Sequence, residues 1–171
     1  MEESRELVRQ AKKGKREAFA KLYETVYEDM YRFALYVLKD REDAEDAVAE
    51  TVADVFESIG KLRKEEAFRA WIFQILSNKC KRKLKEYITK TYSYEENEQR
   101  LEKDSKTEDM AHAIHVRDAF YSLEEEERYM VALQVFGGYK SREIAALLHK
   151  NHNTVRSQVS RALKKMKEKL D

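Results

Sequence analysis

No proline occurs anywhere in the 171 residues of this chain, where average usage of about 5% would place roughly eight. The four glycines, Gly14, Gly60, Gly137 and Gly138, all fall between periodic segments. Proline breaks a helix by removing an amide donor and clashing with the preceding turn; glycine weakens it through backbone entropy. A chain with so little of either is expected to be nearly all α. Charged residues make up 39% and hydrophobic residues 42%, against a typical charged share of about 25%. The pair of values fits small helical domains with real cores and a large solvated surface.

Net charge is only +1, so any affinity for nucleic acid must come from how charge is distributed. The single cysteine, Cys80, excludes an internal disulfide framework and fits a reducing, cytoplasmic compartment. The opening MEESRELVRQAKKGK has no apolar core, so no signal peptide is expected. No apolar run approaches the ~18–20 residues that span a bilayer, so no membrane insertion is expected.

Apolar residues from Phe19 to Leu38 keep helical spacing through nearly six turns, which predicts one long helix. Asp40 then reads as an N-cap for a helix that buries Ala44, Ala47, Val48, Val52, Val55 and Ile59 and stops at Gly60. A further helix places Phe68, Trp71, Ile72, Ile75 and Leu76 on one stripe. Residues 1–88 are thus expected to form one helical domain. Periodicity fails over 88–110, and between Glu95 and Asp109 seven acids face three bases, the composition of a flexible acidic linker over 89–110. A second domain is expected over 111–171. In it Ser122 and Glu125 read as a capping box. Its last helix starts after Asn151 and buries Val155, Val159, Ala162, Leu163, Met166 and Leu170.

Three charged surfaces stand out. Asp43, Asp46, Glu50, Asp54 and Glu57 are spaced 3, 4, 4 and 3 apart, which stacks five acids on one helix face with no lysine at i+4 to relieve them. Such a stripe repels DNA phosphates and attracts a basic protein surface. In AFRAWIFQILSNKCKRKLK, residues 67–85, an aromatic half is followed by five cations, Lys79, Lys81, Arg82, Lys83 and Lys85, with no acid between them. Arg63, Lys64 and Phe68 are expected at the same end of the domain, and cations beside an aromatic ring suit single-stranded bases. The third surface, SREIAALLHKNHNTVRSQVSRALKK, has the form of a helix-turn-helix. Burying Val155, Val159 and Ala162 turns His152, Asn153, Arg156, Ser157, Ser160 and Arg161 outward, where a recognition helix meets base edges. Lys164, Lys165 and Lys167 then lie toward phosphates.

These segments together resemble a bacterial RNA polymerase sigma factor of the extracytoplasmic-function (ECF) type. DREDAEDAVAETVADVF resembles the family's polymerase-clamp helix, AFRAWIFQILSNKCKRKLK its promoter-melting segment, and SLEEEER…FGGYKSREIAALL…NTVRSQVSRALKKMKEKL its −35-reading domain. The resemblance implies that Asp43, Asp46 and Glu50, with Asp54 one turn on, dock on core RNA polymerase. It implies that Arg63, Lys64, Phe68, Asn78, Lys79, Arg82 and Lys83 sit at the −10 element of promoter DNA. His152, Asn153, Arg156, Ser157, Ser160, Arg161 and Lys164 would sit at the −35 element. It also implies an anti-sigma protein as a regulatory partner, and neither catalysis nor a cofactor. Four positions depart from the family's usual residues: Ala49 for Gln, Arg82 for Asp, Glu124 for Pro and Asn153 for Gly.

The 23 residues from 88 to 110 reach about 80 Å when extended, more than the roughly 58 Å spanned by ~17 base pairs. A stand-alone helix-turn-helix regulator is the competing reading, and the acidic stripe separates the two because a simple repressor has no need of it. The pairs His112/His115 and His149/His152 have metal-compatible spacing, but no dense Cys/His cluster accompanies them.

Overall fold

The computed structural model describes residues 2–91 and 108–170, with side chains defined over 3–86 and 114–170. The acidic segment between, 92–107, lies outside the described residues. The chain divides into two compact units, Met1–Asn97 and Glu98–Asp171. Among the described residues every regular element is helical.

In the first unit α1 (Glu2–Lys12) packs on α2 (Arg16–Glu24), and α3 (Tyr27–Leu38) packs on α4 (Arg41–Ser58) and α5 (Phe68–Thr91). Two short 3₁₀ turns, Ile59–Lys61 and Glu65–Ala67, join α4 to α5 and lie against α1. Phe33 and Phe73 meet edge to face, 5.8 Å between ring centres, in a core with Leu22, Met30, Ile72, Leu76 and Val55. Edge-to-face pairs add about 0.5–1.5 kcal/mol beyond the area they bury. Lys12 Nζ donates to the Leu62 carbonyl at 2.8 Å, tying α1 to the α4–α5 connection.

The helix expected over 19–38 is two helices. Two 3₁₀-type bonds close α2, Thr25 N–H to Leu22 O at 3.2 Å and Val26 N–H to Tyr23 O at 3.0 Å, and the Thr25 hydroxyl also donates to Leu22 O at 2.6 Å. Val26 leaves helical geometry at φ −124°, ψ −13° before α3 resumes. The break is so short that both helices keep their apolar stripes on one core, which is why the spacing runs through it. Gly60 is a second difference: α4 stops at Ser58 and Gly60 lies inside the 3₁₀ turn, whereas Gly14 and Gly138 take left-handed φ values of 84° and 71°. Asp40 does cap α4, its Oδ1 accepting from Asp43 N–H at 2.9 Å.

The stripe of α5 is rotated from the expected one. Phe68, Ile72, Phe73, Leu76, Ser77 and Cys80 are buried, while Trp71 and Ile75 are half-buried at the rim. The helix also continues to Thr91, past the expected start of the linker, and α6 (Glu108–Tyr121) begins at the linker's C-terminal end, where the sequence leaves room for helix. Lys, Glu and Tyr have no helix-breaking character, so nothing local stops either helix.

In the second unit α6 and α7 (Glu125–Val135) each pack on α9 (His152–Leu170), and α8 (Ser141–Leu148) packs on α7 and α9. Glu124, not Ser122, is the N-cap of α7. It forms a reciprocal capping box with Glu127, while the Ser122 hydroxyl donates back to Ala119 O at 2.7 Å and closes α6. The end of α7 is tight. Tyr139 N–H reaches Leu133 O at 3.1 Å, and a Cβ on Gly137 would fall 2.7 Å from Leu133 O and 2.8 Å from the Tyr139 ring.

Candidate nucleic-acid interface

The acidic face of α4 and the cationic face of α5 are neighbours. Lys79 Nζ lies 2.6 Å from Asp54 and 3.3 Å from Glu50; Arg82 Nη2 lies 2.6 Å from the same Glu50 oxygen. Lys83 Nζ lies 2.7 Å from Asp43 and 3.7 Å from Asp46. Four of the five stripe acids therefore find a cation, supplied by the next helix in the bundle. Lys79 and Lys83 are drawn in so far that their side chains keep only 12% and 13% of their exposure, against 56% for Arg82. The carboxylates remain more open, with 63% exposure at Asp46 and 54% at Asp54. Spacing along one helix correctly found no relieving lysine in α4. It could not show the relief from α5.

Ionisation follows the geometry. The hydrogen bond from Arg82, helped by Lys79, holds the Glu50 carboxyl below its ordinary range. Burial alone would lower Lys83, but the hydrogen bond to Asp43 and the fields of Asp43, Asp46 and Glu50 raise it. Cys80, one turn from Lys83 on the inner face, is pushed up to about 12 by burial. Only the thiolate is nucleophilic, so this thiol is a core residue without reactivity.

The other residues expected at the same end separate. Arg63 and Lys64 are exposed in the connection between the 3₁₀ turns, and Asn78 is exposed on α5. Phe68 is 4% exposed, so its ring belongs to the core and is not presented to a base in this conformation. Among the described side chains of α5, the aromatic that reaches the surface is the half-buried Trp71, three residues on.

In α9, Val155, Val159 and Ala162 are buried, and Asn153, Arg156, Ser157, Ser160, Arg161 and Lys164 are exposed, with His152 half-buried. The expected buried stripe is narrower than the sequence suggests: Leu163 is 38% exposed, Leu170 also lies open, and Met166 is half-buried. The α8–α9 turn is set by His149 in left-handed geometry, φ 52°, and by Asn151, whose Oδ1 accepts from Asn153 N–H at 2.8 Å. Carboxylates from α7 engage cations elsewhere, Glu126 with Lys150 and Glu127 with Lys165, each at 2.7 Å. Arg156 has no ion pair with a described residue, and Arg161 reaches only the Ser157 carbonyl, at 3.4 Å. The outward face of α9 thus offers guanidinium, amide and hydroxyl groups in the half of a recognition helix that enters a major groove. Among the described residues, no three His, Cys, Asp or Glu side chains gather as a metal site.

Comparison with known proteins finds two family matches. The family model for Sigma-70 region 2 matches residues 22–87, which span α2 to α5, and that for Sigma-70 region 4 matches 116–166, which span the helix-turn-helix. The chain belongs to the sigma-70 family of RNA polymerase sigma factors, and within it to the ECF type. It is 28% identical over 143 residues to RNA polymerase sigma factor SigV of Bacillus subtilis, covering 84% of this chain and 85% of that protein. It is 22% identical over 164 residues to the ECF sigma factor SigX of the same organism, covering 91% and 84%. Among solved structures it resembles the sigma factor RpoE of Bartonella quintana, solved with the anti-sigma factor NepR. There the TM-score is 0.70 at 20% identity, over 89% of this chain and 96% of that one. CnrH, solved with the cytosolic domain of CnrY, gives a TM-score of 0.67 at 22% identity over 99% and 97%. No helix among the described residues is long and apolar enough to cross a membrane.

Proposed function

We propose that this sigma factor binds core RNA polymerase through the exposed carboxylates of α4, reads the −35 element with α9, and holds the opened −10 strand along α5. The observation that carries the reading is the match of both regions, in order, to units whose exposed side chains suit those tasks. Asp46, Glu50 and Asp54 offer a basic protein surface a row of accessible charge. Arg156 and Arg161 have the geometry for guanine edges, Asn153 for adenine, and Lys164 for phosphate. Arg63 and Lys64, exposed ahead of α5, and Asn78 and Arg82, exposed along it, are the groups open to the −10 strand in this reading, with Lys79 and Lys83 held in more deeply.

In this reading residues 1–88 carry polymerase and −10 binding, 89–110 link the units, and 111–171 carry −35 binding. The chain works in the cytoplasm, performs no catalysis of its own, and is held in check by an anti-sigma protein. The experiment is runoff transcription on a promoter library with core polymerase. A defined transcript that needs the added chain is expected, and charge reversal by Asp46→Lys with Glu50→Lys should remove both core binding and the transcript. Duplex binding with no effect on polymerase would instead make the chain a stand-alone regulator.

A further inference from the structure

The α1–α2 turn, KKGKR over residues 12–16, carries four cations and no acid, and the α4–α5 connection, GKLRK over 60–64, carries three and no acid. Remote in sequence, the two segments adjoin in the fold. Lys12 Nζ donates to the carbonyl of Leu62, 50 positions on, and lies 3.9 Å from Glu65, and α1 packs on both 3₁₀ turns. Backbone bonds hold each segment in shape. Gly14 N–H reaches Ala11 O at 2.9 Å and Lys15 N–H reaches Gln10 O at 3.1 Å, while Leu62 N–H reaches Ile59 O at 3.1 Å above its buried side chain. Lys12 is taken up by this tie. The six cations around it, Lys13, Lys15, Arg16, Lys61, Arg63 and Lys64, are all exposed, and none has an ion pair with a described residue. The acids of these elements are engaged or stand outside the two segments: Glu6 accepts from Arg9 and Gln10, Glu65 faces Lys12, and Glu17 and Glu66 follow the segment ends. Like charges on adjoining turns repel one another. A string of phosphates relieves them and releases its own counterions in doing so.

We infer that the α1–α2 turn and the α4–α5 connection form one phosphate-binding surface, which receives the opened DNA strand where it passes the N-terminal end of α5. The inference rests on the reading that Arg63 and Lys64 meet that strand, and it adds Lys13, Lys15, Arg16 and Lys61 as phosphate contacts. Continuity decides for DNA over an acidic protein surface, because the connection that carries Arg63 and Lys64 leads directly into α5. The turn lies ahead of residue 22, where the match to Sigma-70 region 2 begins, so these contacts come from a part of the chain outside that match. Phosphate contacts set affinity and position and carry no sequence information of their own. The strand is therefore held here without regard to its bases.

The test uses the full-length chain and a labelled single-stranded DNA of mixed sequence, with binding followed by anisotropy across a salt series. Lys13→Gln, Lys15→Gln and Arg16→Gln together should weaken binding about tenfold at low salt and flatten the slope of log Kd against log salt by about 2, at ~0.7 for each contact on a single strand. Lys61→Gln alone should flatten it by about 0.7. The same losses are expected on an abasic strand of equal length, since the contacts are to phosphate. The control Lys21→Gln, Arg32→Gln, Arg41→Gln makes the same change in net charge at exposed positions of the first unit. It should move affinity by less than about threefold, the long-range share of the effect. If the turn variant does not fold by circular dichroism, Arg16→Gln alone should still flatten the slope by about 0.7. Turn and control variants that behave alike, or an unchanged slope for Lys61→Gln, overturn the shared surface. So does a turn variant that binds the strand as wild type does but loses core RNA polymerase, which would make the turn a protein contact. Arg63→Gln with Lys64→Gln tells these failures from that of the underlying reading: the slope still flattens if only the extension is wrong, and stays unchanged if the reading itself is.

Discussion

Helices α5 and α9 each carry a cationic face, and the two are prepared differently. On α5, Lys79, Arg82 and Lys83 are each met by carboxylates of α4, and two of the three are nearly withdrawn from solvent. In the second unit Glu126 and Glu127 go to Lys150 and Lys165 and Glu168 reaches Lys164, while Arg156 and Arg161 on α9 have no ion pair with a described residue. One face is left open to solvent; the other is committed to an internal partner. The contrast shows that a run of charge on one helix does not say what is available for binding. That depends on the charge of the helix packed beside it.

The sharpest way to break this comparison is to ask what holds α5. If the apolar face does, Phe73→Ala should cost about 3–5 kcal/mol, read by denaturant unfolding. Trp71, the only tryptophan, reports on this unit alone. A cost below about 1 kcal/mol would mean that the α4–α5 ion pairs are the true anchor. Next in size is Arg156→Ala, expected to weaken specific duplex binding by about 1–3 kcal/mol and to relax preference at one base pair. An equal loss on all duplexes would make Arg156 a phosphate contact. Gly137→Ala should destabilise the second unit by about 1–3 kcal/mol, because its methyl meets a carbonyl and a buried ring. Circular dichroism melting of the variant checks this, and an unchanged curve would show that the turn can open.

The smallest effect is the stability that the α4–α5 ion pairs themselves contribute. Glu50→Gln should cost below about 1 kcal/mol, given the exposure of the pair. The pH dependence has a definite sign. Glu50 is lowered on folding from its ordinary 4.5, so its contribution is present above that value and is lost as pH falls through the lowered one. Lys83 is raised from 10.5, so its contribution is full below that value and is lost as pH rises through the raised one. Between those limits the difference between wild type and Glu50→Gln should be flat, closing only on the acid side. A slope near neutrality would point to another titrating group.

Much of this was legible in the sequence, for physical reasons that also mark where legibility stopped. The absence of proline dictated helices, the Asp40 cap fixed the start of α4, and the spacing of Val155, Val159 and Ala162 fixed which face of α9 points outward. The break at Thr25–Val26 was invisible because two 3₁₀-type bonds interrupt the helix without changing the phase of its apolar stripe. Phe73 replaced Trp71 in the core because two helices, α3 and α4, pack on α5, and a single-stripe pattern assumes one neighbour. The same limit hid the α4–α5 ion pairs. The five acids of α4 and the cations of α5 were each read along a single helix, and only the packing of one helix on the other shows that they face each other.

The measurement that bears most directly on the central claim compares transcription on two templates, one fully duplex and one with the −10 region artificially unpaired. Core polymerase would be supplied with wild-type chain or with the Lys79→Ala, Arg82→Ala, Lys83→Ala variant. If those cations take hold of the opened strand, the variant should lose most activity on duplex DNA and recover it on the unpaired template. Equal loss on both templates, or none on either, would contradict the account.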